Sequence, residues 1–348
     1  MMQCFLWRLL KIISVRWSIA LTILLPLPST SLALPSKPLQ TITIAQFGKE
    51  KFLLYLPLYV AMEERLFEKR GLSIRLQFAG NDDQIFASVI RGDALFGVGD
   101  PAFVAISRER GGPGKVVALL VEKLGLSGVS RKGGVPFVRD PHQLKGLRMS
   151  SFPEPSTTFT LLSQIINRHQ LKKFGTTIVQ TAIGTQIAAL EAEQVDIALD
   201  LEPAISIAES KGYELSFLLD NFTVPQAITG LTTLEKTILE QGDLVQKVVS
   251  SLHEALEIIN DDKHVALRVA TTLFPHLSRE VIERSVSRML SFGVYPKSSR
   301  VPDELWQTTL RTRLASGDLK ALQETSFAVD NFFASTAEGE SLSREKNQ

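Results

Sequence analysis

The sequence predicts an α/β protein of two similarly built lobes, each a doubly wound sheet flanked by helices. Three observations lead there. From residue 41, alternating β-branched runs and helical runs follow one another in regular order. That order restarts near residue 127. Two stretches 102 residues apart also align without a gap. Alternating strand and helix patterns mark βαβ units and parallel sheets.

In order along the chain, "TITIAQFG" (41–48) alternates apolar and polar residues and predicts a strand. "LPLYVAMEERLFEKRG" predicts a helix with Pro57 in its first turn and Gly71 at its end. Tyr55 and Tyr59 flank Pro57 four residues apart, on one helical face. "LSIRLQFAG" (72–80) is the next strand, and "DDQIFASVIRGD" a helix ending near Gly92. "ALFGVGD" (94–100) is a strand, "PAFVAISRERGG" a helix opening at Pro101, and "KVVALLVEKL" (115–124) a strand. These segments make up a first lobe over 41–126.

A second set, "LSGVSRKG", "PHQLKGLRMSSF", "PSTTFTLL", "TTIVQTAIG" and "VDIALDLEP", makes up a second lobe over 127–222. Residues 223–335 return to the first lobe, and the pattern is helical from roughly Leu231 onward. The polar stretch 336–348 is expected to be a disordered tail.

The internal echo sharpens the two-lobe reading. "DQIFASVIRGDALFGVGDPAF" and "TQIAALEAEQVDIALDLEPAI" share Gln84/Gln186, Ile85/Ile187 and Pro101/Pro203 in register. Asp100 and Glu202 each stand one residue before those prolines. Each copy reads as helix, short strand, acid–Pro, helix. A strand ending this way puts a helix N-terminus at the carboxyl edge of a sheet, where open α/β sheets bind ligands.

The first 34 residues read as an export signal. Arg8, Lys11 and Arg16 form a basic n-region, Ser18–Leu27 an apolar core, and Ser31 and Ala33 an A-x-A-like cleavage pattern. The apolar run falls short of the roughly 20 residues a spanning helix needs. A retained anchor is the alternative. Cys4, the only cysteine, precedes the expected cleavage near Ala33, so the mature chain would carry no thiol. The 348-residue chain is 22% charged with a formal net charge of +1, and no basic block is interleaved with aromatics. That argues against a nucleic-acid partner.

Three strand-to-helix junctions are the candidate ligand contacts. In "VGDPAF", Gly99 suits a tight exit and Asp100 and Pro101 suit a helix start; capping alone is the alternative to ligand contact. In "FPEPSTTFTLL", Pro153 and Pro155 stiffen the loop and Ser156 is the natural N-cap. Thr157 and Thr158 follow in the first turn, where free N–H groups favour an anion or polar acceptor. In "ALDLEPA", one of Asp200 and Glu202 could receive a ligand's donor and the other cap or pair. Tyr55, near its helix start, is a further candidate, whereas Tyr59 reads as core.

The five histidines are scattered without metal-ligand spacing, so no metal site is expected. No G-x-G-x-x-G, Walker loop or G-x-S-x-G occurs, and "GGPG" (111–114) lacks the Lys-Ser/Thr of a phosphate loop. No cofactor and no catalytic constellation are predicted.

Four stretches carry a family resemblance: "YLPLYVAMEERLFEKRGLSIRLQFAG", "ASVIRGDALFGVGDP", "PHQLKGLRMSSFPEPSTTFTLLSQII" and "AALEAEQVDIALDLEPA". Over roughly residues 41–230 the chain resembles the periplasmic binding proteins of aliphatic-sulfonate, taurine and nitrate importers, a superfamily that includes thiamine-pyrimidine precursor binders. The resemblance implies a two-lobed type II periplasmic binding protein fold with a ligand cleft between the lobes. It also implies a non-enzymatic, monomeric periplasmic receptor that delivers a small organic ligand to an ABC permease. Its ligand-facing positions here would be Tyr55, Asp100, Ser156, Thr157 and Glu202. This chain has "FPEP" where relatives carry a glycine-serine loop, and "ERLF" where many have G-x-F.

The acids at two of the three openings would repel an anion if they face the cleft and favour a neutral or cationic heterocycle. If they only cap helices, the Ser156 opening is free to take an anion. Two rival roles share the resemblance: a pyrimidine-synthase-like enzyme of thiamine-precursor biosynthesis, and a ligand-sensing module for a membrane kinase.

Overall fold

The first lobe is a five-stranded sheet in the order β2-β1-β3-β10-β4. Its strands are β1 (Gln40–Phe47), β2 (Leu72–Gly80), β3 (Phe96–Gly99), β4 (Lys115–Val121) and, returning late in the chain, β10 (Thr229–Thr233). A computed structural model describes residues 38–345; the expected export signal lies outside the described residues. The second lobe holds β5 (Ser127–Ser130), β6 (Arg148–Ser151), β7 (Thr177–Gln180), β8 (Ala198–Asp200) and β9 (Glu214–Leu218). Ladders β8-β5-β9 and β6-β7 are joined by a parallel bridge between Met149 and Ile197. Across the lobe the order is therefore β7-β6-β8-β5-β9.

The two orders superimpose term by term, with β1, β2, β3, β4 and β10 matched by β6, β7, β8, β9 and β5. The helices match as well. The first lobe carries α1 (Leu56–Glu63), α2 (Asp82–Arg91) and α3 (Ala102–Glu109). The second carries α4 (Thr157–Arg168), α5 (Gln186–Glu191) and α6 (Ala204–Ser210). The echo seen in the sequence falls on α2-β3-α3 and α5-β8-α6. β3 and β8 begin at residues 96 and 198, and α3 and α6 at 102 and 204, each pair 102 apart.

The sheets are mixed rather than parallel throughout, which corrects the sequence-based expectation. β10 runs antiparallel to β3 and β4, and β5 antiparallel to β8 and β9. A parallel neighbour needs a crossover helix. β5 and β10 each enter a lobe directly from the other lobe, with no α-helix between, and so run antiparallel. For the same reason the helical reading from Leu231 fails at first: Leu231 is a strand residue, and helix resumes at Glu235. The two crossings, 122–126 and 219–228, lie side by side. Leu219 N–H donates to Leu126 O at 3.0 Å, Ile228 N–H to Val121 O at 3.0 Å, and Gly125 N–H to Asp220 Oδ2 at 2.9 Å.

Local capping follows the sequence with small shifts. Asn81 and Gln84 form a reciprocal capping box at α2, and Gly92 closes it in the left-handed conformation. α1 stops at Glu63, and Gly71 instead closes a short 3-10 turn over Glu68–Arg70. Gly99 needs no unusual φ; a Cβ there would lie 2.4 Å from Ile85 Cδ1, so its smallness lets α2 pack on β3.

The C-terminal third is helical: α7 (Glu235–Glu240), α8 (Gly242–Asp261), α9 (Lys263–Leu273), α10 (Arg279–Ser291), α11 (Asp303–Ser316), α12 (Thr325–Ala328) and α13 (Phe332–Glu345). The disordered tail expected over 336–348 is corrected for 336–345, which continue α13. Ala334 and Ala337 pack against α8 in the core, and Glu340 accepts from Ser250 at 2.9 Å, so this polar-looking segment has a buried stripe. α10 packs on α6, and α11 packs on both α3 and α4. Among the described residues no helix is long and apolar enough to cross a membrane.

Glu202 shows how these helices tie to the lobes. Its carboxylate is fully buried and pairs with Arg288 of α10, which also bonds Glu209 at 2.5 Å; Glu202 further accepts the Ser206 N–H at 3.2 Å. Removing one partner of a buried pair leaves an uncompensated charge and costs about 3–5 kcal/mol. Arg288→Ala is therefore expected to lower stability by about 3 kcal/mol in urea unfolding, and adding Glu202→Gln should restore part of it.

Candidate functional site

The carboxyl ends of both sheets meet at one cleft. The end of β1 supplies Phe47, the turn into α1 supplies Leu54 and Tyr55, and the start of α2 supplies Asp82. From the second lobe come Phe152 after β6, Thr157 and Thr158 opening α4, and Leu201 after β8. Leu124, Ile228 and Thr229, from the crossings and the start of β10, complete the lining. The rings of Phe47 and Phe152 approach to 5.7 Å between centroids, one from each lobe. The cavity left between the lobes is about 20 Å³, on the scale of one water molecule.

Polar contacts seal that closure. Asp100 Oδ1 accepts the Ala102 N–H at 2.8 Å and so holds the opening of α3. Its other oxygen accepts from the Thr157 hydroxyl across the cleft and from the Arg313 guanidinium of α11. Arg313 also donates to Thr160 Oγ1 at 2.9 Å and to Asp318 Oδ2 at 3.0 Å. One buried guanidinium thus touches the first lobe, the second lobe and its own helix end. Burial disfavours its charge, but the Asp100 and Asp318 carboxylates outweigh this and hold its proton more tightly than in water.

Asp82 is the carboxyl side chain that lines the cleft among the described residues. Burial, with the nearby Asp100 charge adding, pushes its carboxyl up to about 7, against the pull of Arg313 and of the Thr157 N–H. Asp82 Oδ2 accepts that N–H at 3.4 Å. A first-lobe carboxylate therefore occupies the opening of α4, the seat a helix N-terminus offers an anion. Burial likewise raises the Tyr55 hydroxyl well above its ordinary range, with Asp82 contributing. At the edge of the second lobe, burial pushes Asp200 up to about 7; Leu201 N–H opposes this at 2.8 Å, and Glu202 and Glu50 add to it.

The family model described as "NMT1/THI5 like" matches residues 54–264. The chain belongs to the NMT1/THI5-like family. The curated proteins include no match to it. Among solved structures, the alkanesulfonate-binding protein SsuA of Xanthomonas axonopodis pv. citri, bound to MOPS, is similar at TM-score 0.66 and 17% identity, over 85% of this chain and 100% of that one. The nitrate-binding protein NrtA of Synechocystis PCC 6803 is similar at 0.66 and 11%, over 87% and 89% of the two chains. A Candida albicans gene product described as having the generic periplasmic binding protein fold is similar at 0.61 and 14%, over 84% and 97%. At these identities the likeness is one of fold: this NMT1/THI5-like protein has the two-lobed periplasmic binding protein fold.

The sequence-predicted residues divide within it. Tyr55 and Thr157 line the cleft. Asp100 sits at the closure, its carboxylate engaged by Thr157 and Arg313. Ser156 is buried and acts as a cap, its Oγ accepting the Phe159 N–H at 3.2 Å. Glu202 is turned to Arg288, while Leu201 beside it reaches the cleft. Tyr59 is core, its hydroxyl accepting from Gln46 at 2.9 Å.

Asp82, Phe152 and Arg313 are the site residues that sequence reading passed over. Arg313 had a legible signal: with Trp306 and Leu310 it falls on the buried stripe of α11, a position for a charge only if paired. Asp82 sits in a helix first turn, where an acid is ordinary, and so carried none.

A pH dependence follows from Asp82. The folded chain binds this proton more tightly than the unfolded chain, whose Asp titrates near 3.8. Stability therefore falls as pH rises from about 4 to about 7 through this group. Asp82→Asn is expected to raise the melting temperature at pH 8 and to change it little at pH 4, as read by differential scanning calorimetry.

Proposed function

We propose that this NMT1/THI5-like protein is an extracytoplasmic solute receptor. It captures a small organic ligand between its lobes and delivers it to an ABC import permease, working as an exported monomer and not as an enzyme. The observation that carries this reading is the cleft, formed where the carboxyl ends of two matched sheets meet across a double crossing. Such a frame opens and closes by hinge motion around a ligand. The fold it shares with an alkanesulfonate-binding and a nitrate-binding protein supports the receptor class. No Lys, His or Cys belongs to the cleft lining among the described residues.

The charges favour one ligand class within that frame. Arg313, the buried cation nearest the cleft, is spent on Asp100 and Asp318. Asp82 stands where an anion would otherwise dock. Phe47 and Phe152 offer flat apolar walls, and Tyr55, Thr158 and Thr229 offer hydroxyls. A flat heterocycle bearing an amino group satisfies all of these, its N–H donors meeting Asp82 and its ring packing on the aromatics. A sulfonate or nitrate meets a carboxylate.

The test is a thermal-shift and calorimetric panel at pH 8 with amine-bearing pyrimidines and other heterocycles, alkanesulfonates and nitrate. Saturable binding of an amine-bearing heterocycle is expected, weakened about tenfold or more by Asp82→Asn, the scale of a charge-assisted hydrogen bond. Sulfonate binding that Asp82→Asn strengthens would overturn the ligand class, and no binding across the panel would overturn the receptor reading. Ser156→Ala should lower stability by about 1 kcal/mol as a lost cap and leave the heterocycle's affinity unchanged.

A further inference from the structure

A larger cavity, about 510 Å³, opens between α4, the 219–228 crossing and α11 and shares no lining residue with the cleft. Its volume lies within the roughly 300–1,000 Å³ typical of small-molecule sites. α4 contributes Ile165 and Arg168, the crossing contributes Phe222 and Val224, and α11 contributes Thr308 and Arg311. Val224 is 64% exposed, an apolar side chain left uncovered on the 219–228 crossing. Gln164 Nε2 donates to Thr312 O at 2.7 Å and ties the two helices together along the cavity wall.

The charges are one-sided. Arg168 and Arg311 both line the cavity, and no acidic residue does. Neither arginine enters an ion pair among the described residues. Arg311 Nη2 donates to Thr308 Oγ1 at 3.0 Å, which leaves most of its fork free. An apolar wall beside two guanidinium groups matches an anionic head, such as a carboxylate, sulfonate or phosphate, on an apolar chain or ring.

We infer that this cavity is a second ligand site, for a small amphipathic organic anion, separate from the cleft. Its three walls belong to the second lobe, to the crossing and to the helix that carries Arg313.

The experiment is titration calorimetry of the full chain with octanoate, with octan-1-ol and octylammonium as neutral and cationic controls. Saturable one-site binding of octanoate is expected, with weaker binding of octanol and none of octylammonium. The double variant Arg168→Gln/Arg311→Gln should weaken octanoate about tenfold or more while leaving octanol unchanged. Both arginines are exposed, so the variant keeps the fold; Thr308→Trp, which fills the cavity, should give the same loss independently. No saturable octanoate binding at millimolar concentration would overturn the inference. So would equal affinity for octylammonium, or an octanoate affinity that responds to Asp82→Asn and not to the arginine variant, which would place the anion in the cleft. Binding of the heterocycle panel has no bearing on these outcomes.

Discussion

A single buried guanidinium organises the centre of this protein. Arg313 lies where Asp100 of one lobe and Thr157 of the other meet, and it bonds both while also reaching Thr160. A charge taken out of water this completely is tolerable only when every neighbour answers it. Asp100, Asp318 and the threonine hydroxyls do so. Everything else about the cleft follows. Asp100 is neutralised, no Lys or Arg lines the cleft among the described residues, and Asp82 becomes the carboxylate with unspent capacity.

The same device appears twice. Asp100 and Glu202 occupy equivalent ends of β3 and β8, and each is met by an arginine from the C-terminal helices, Arg313 from α11 and Arg288 from α10. The duplicated lobes are thus tied to a helical segment that is not duplicated. Buried pairs of this kind add little net stability over apolar packing, but they fix geometry because a mispaired charge is so costly. Here they set where the lobes stand relative to α10 and α11.

Much of this was legible in the sequence. The strand and helix order, the cap at Ser156, and the echo between 83–103 and 185–205 all rest on local spacing. What escaped needs long-range partners. β10 reads as the start of a helical region because only its pairing with β3 and β4 makes it a strand. Glu202 and Asp100 look alike from sequence as candidate ligand contacts, yet their partners lie 86 and 213 residues away. The role of Asp82 depends on α4 arriving opposite it, which no local pattern encodes.

Arg313 and Asp100 act as one buried unit joining the lobes. The most direct test is a double-mutant cycle on Asp100→Asn and Arg313→Met, read by urea unfolding of each variant. Each single change is expected to cost about 3 kcal/mol or more and the double change far less than their sum, with a coupling on the order of 2 kcal/mol or more. Additive costs, with coupling near zero, would contradict it.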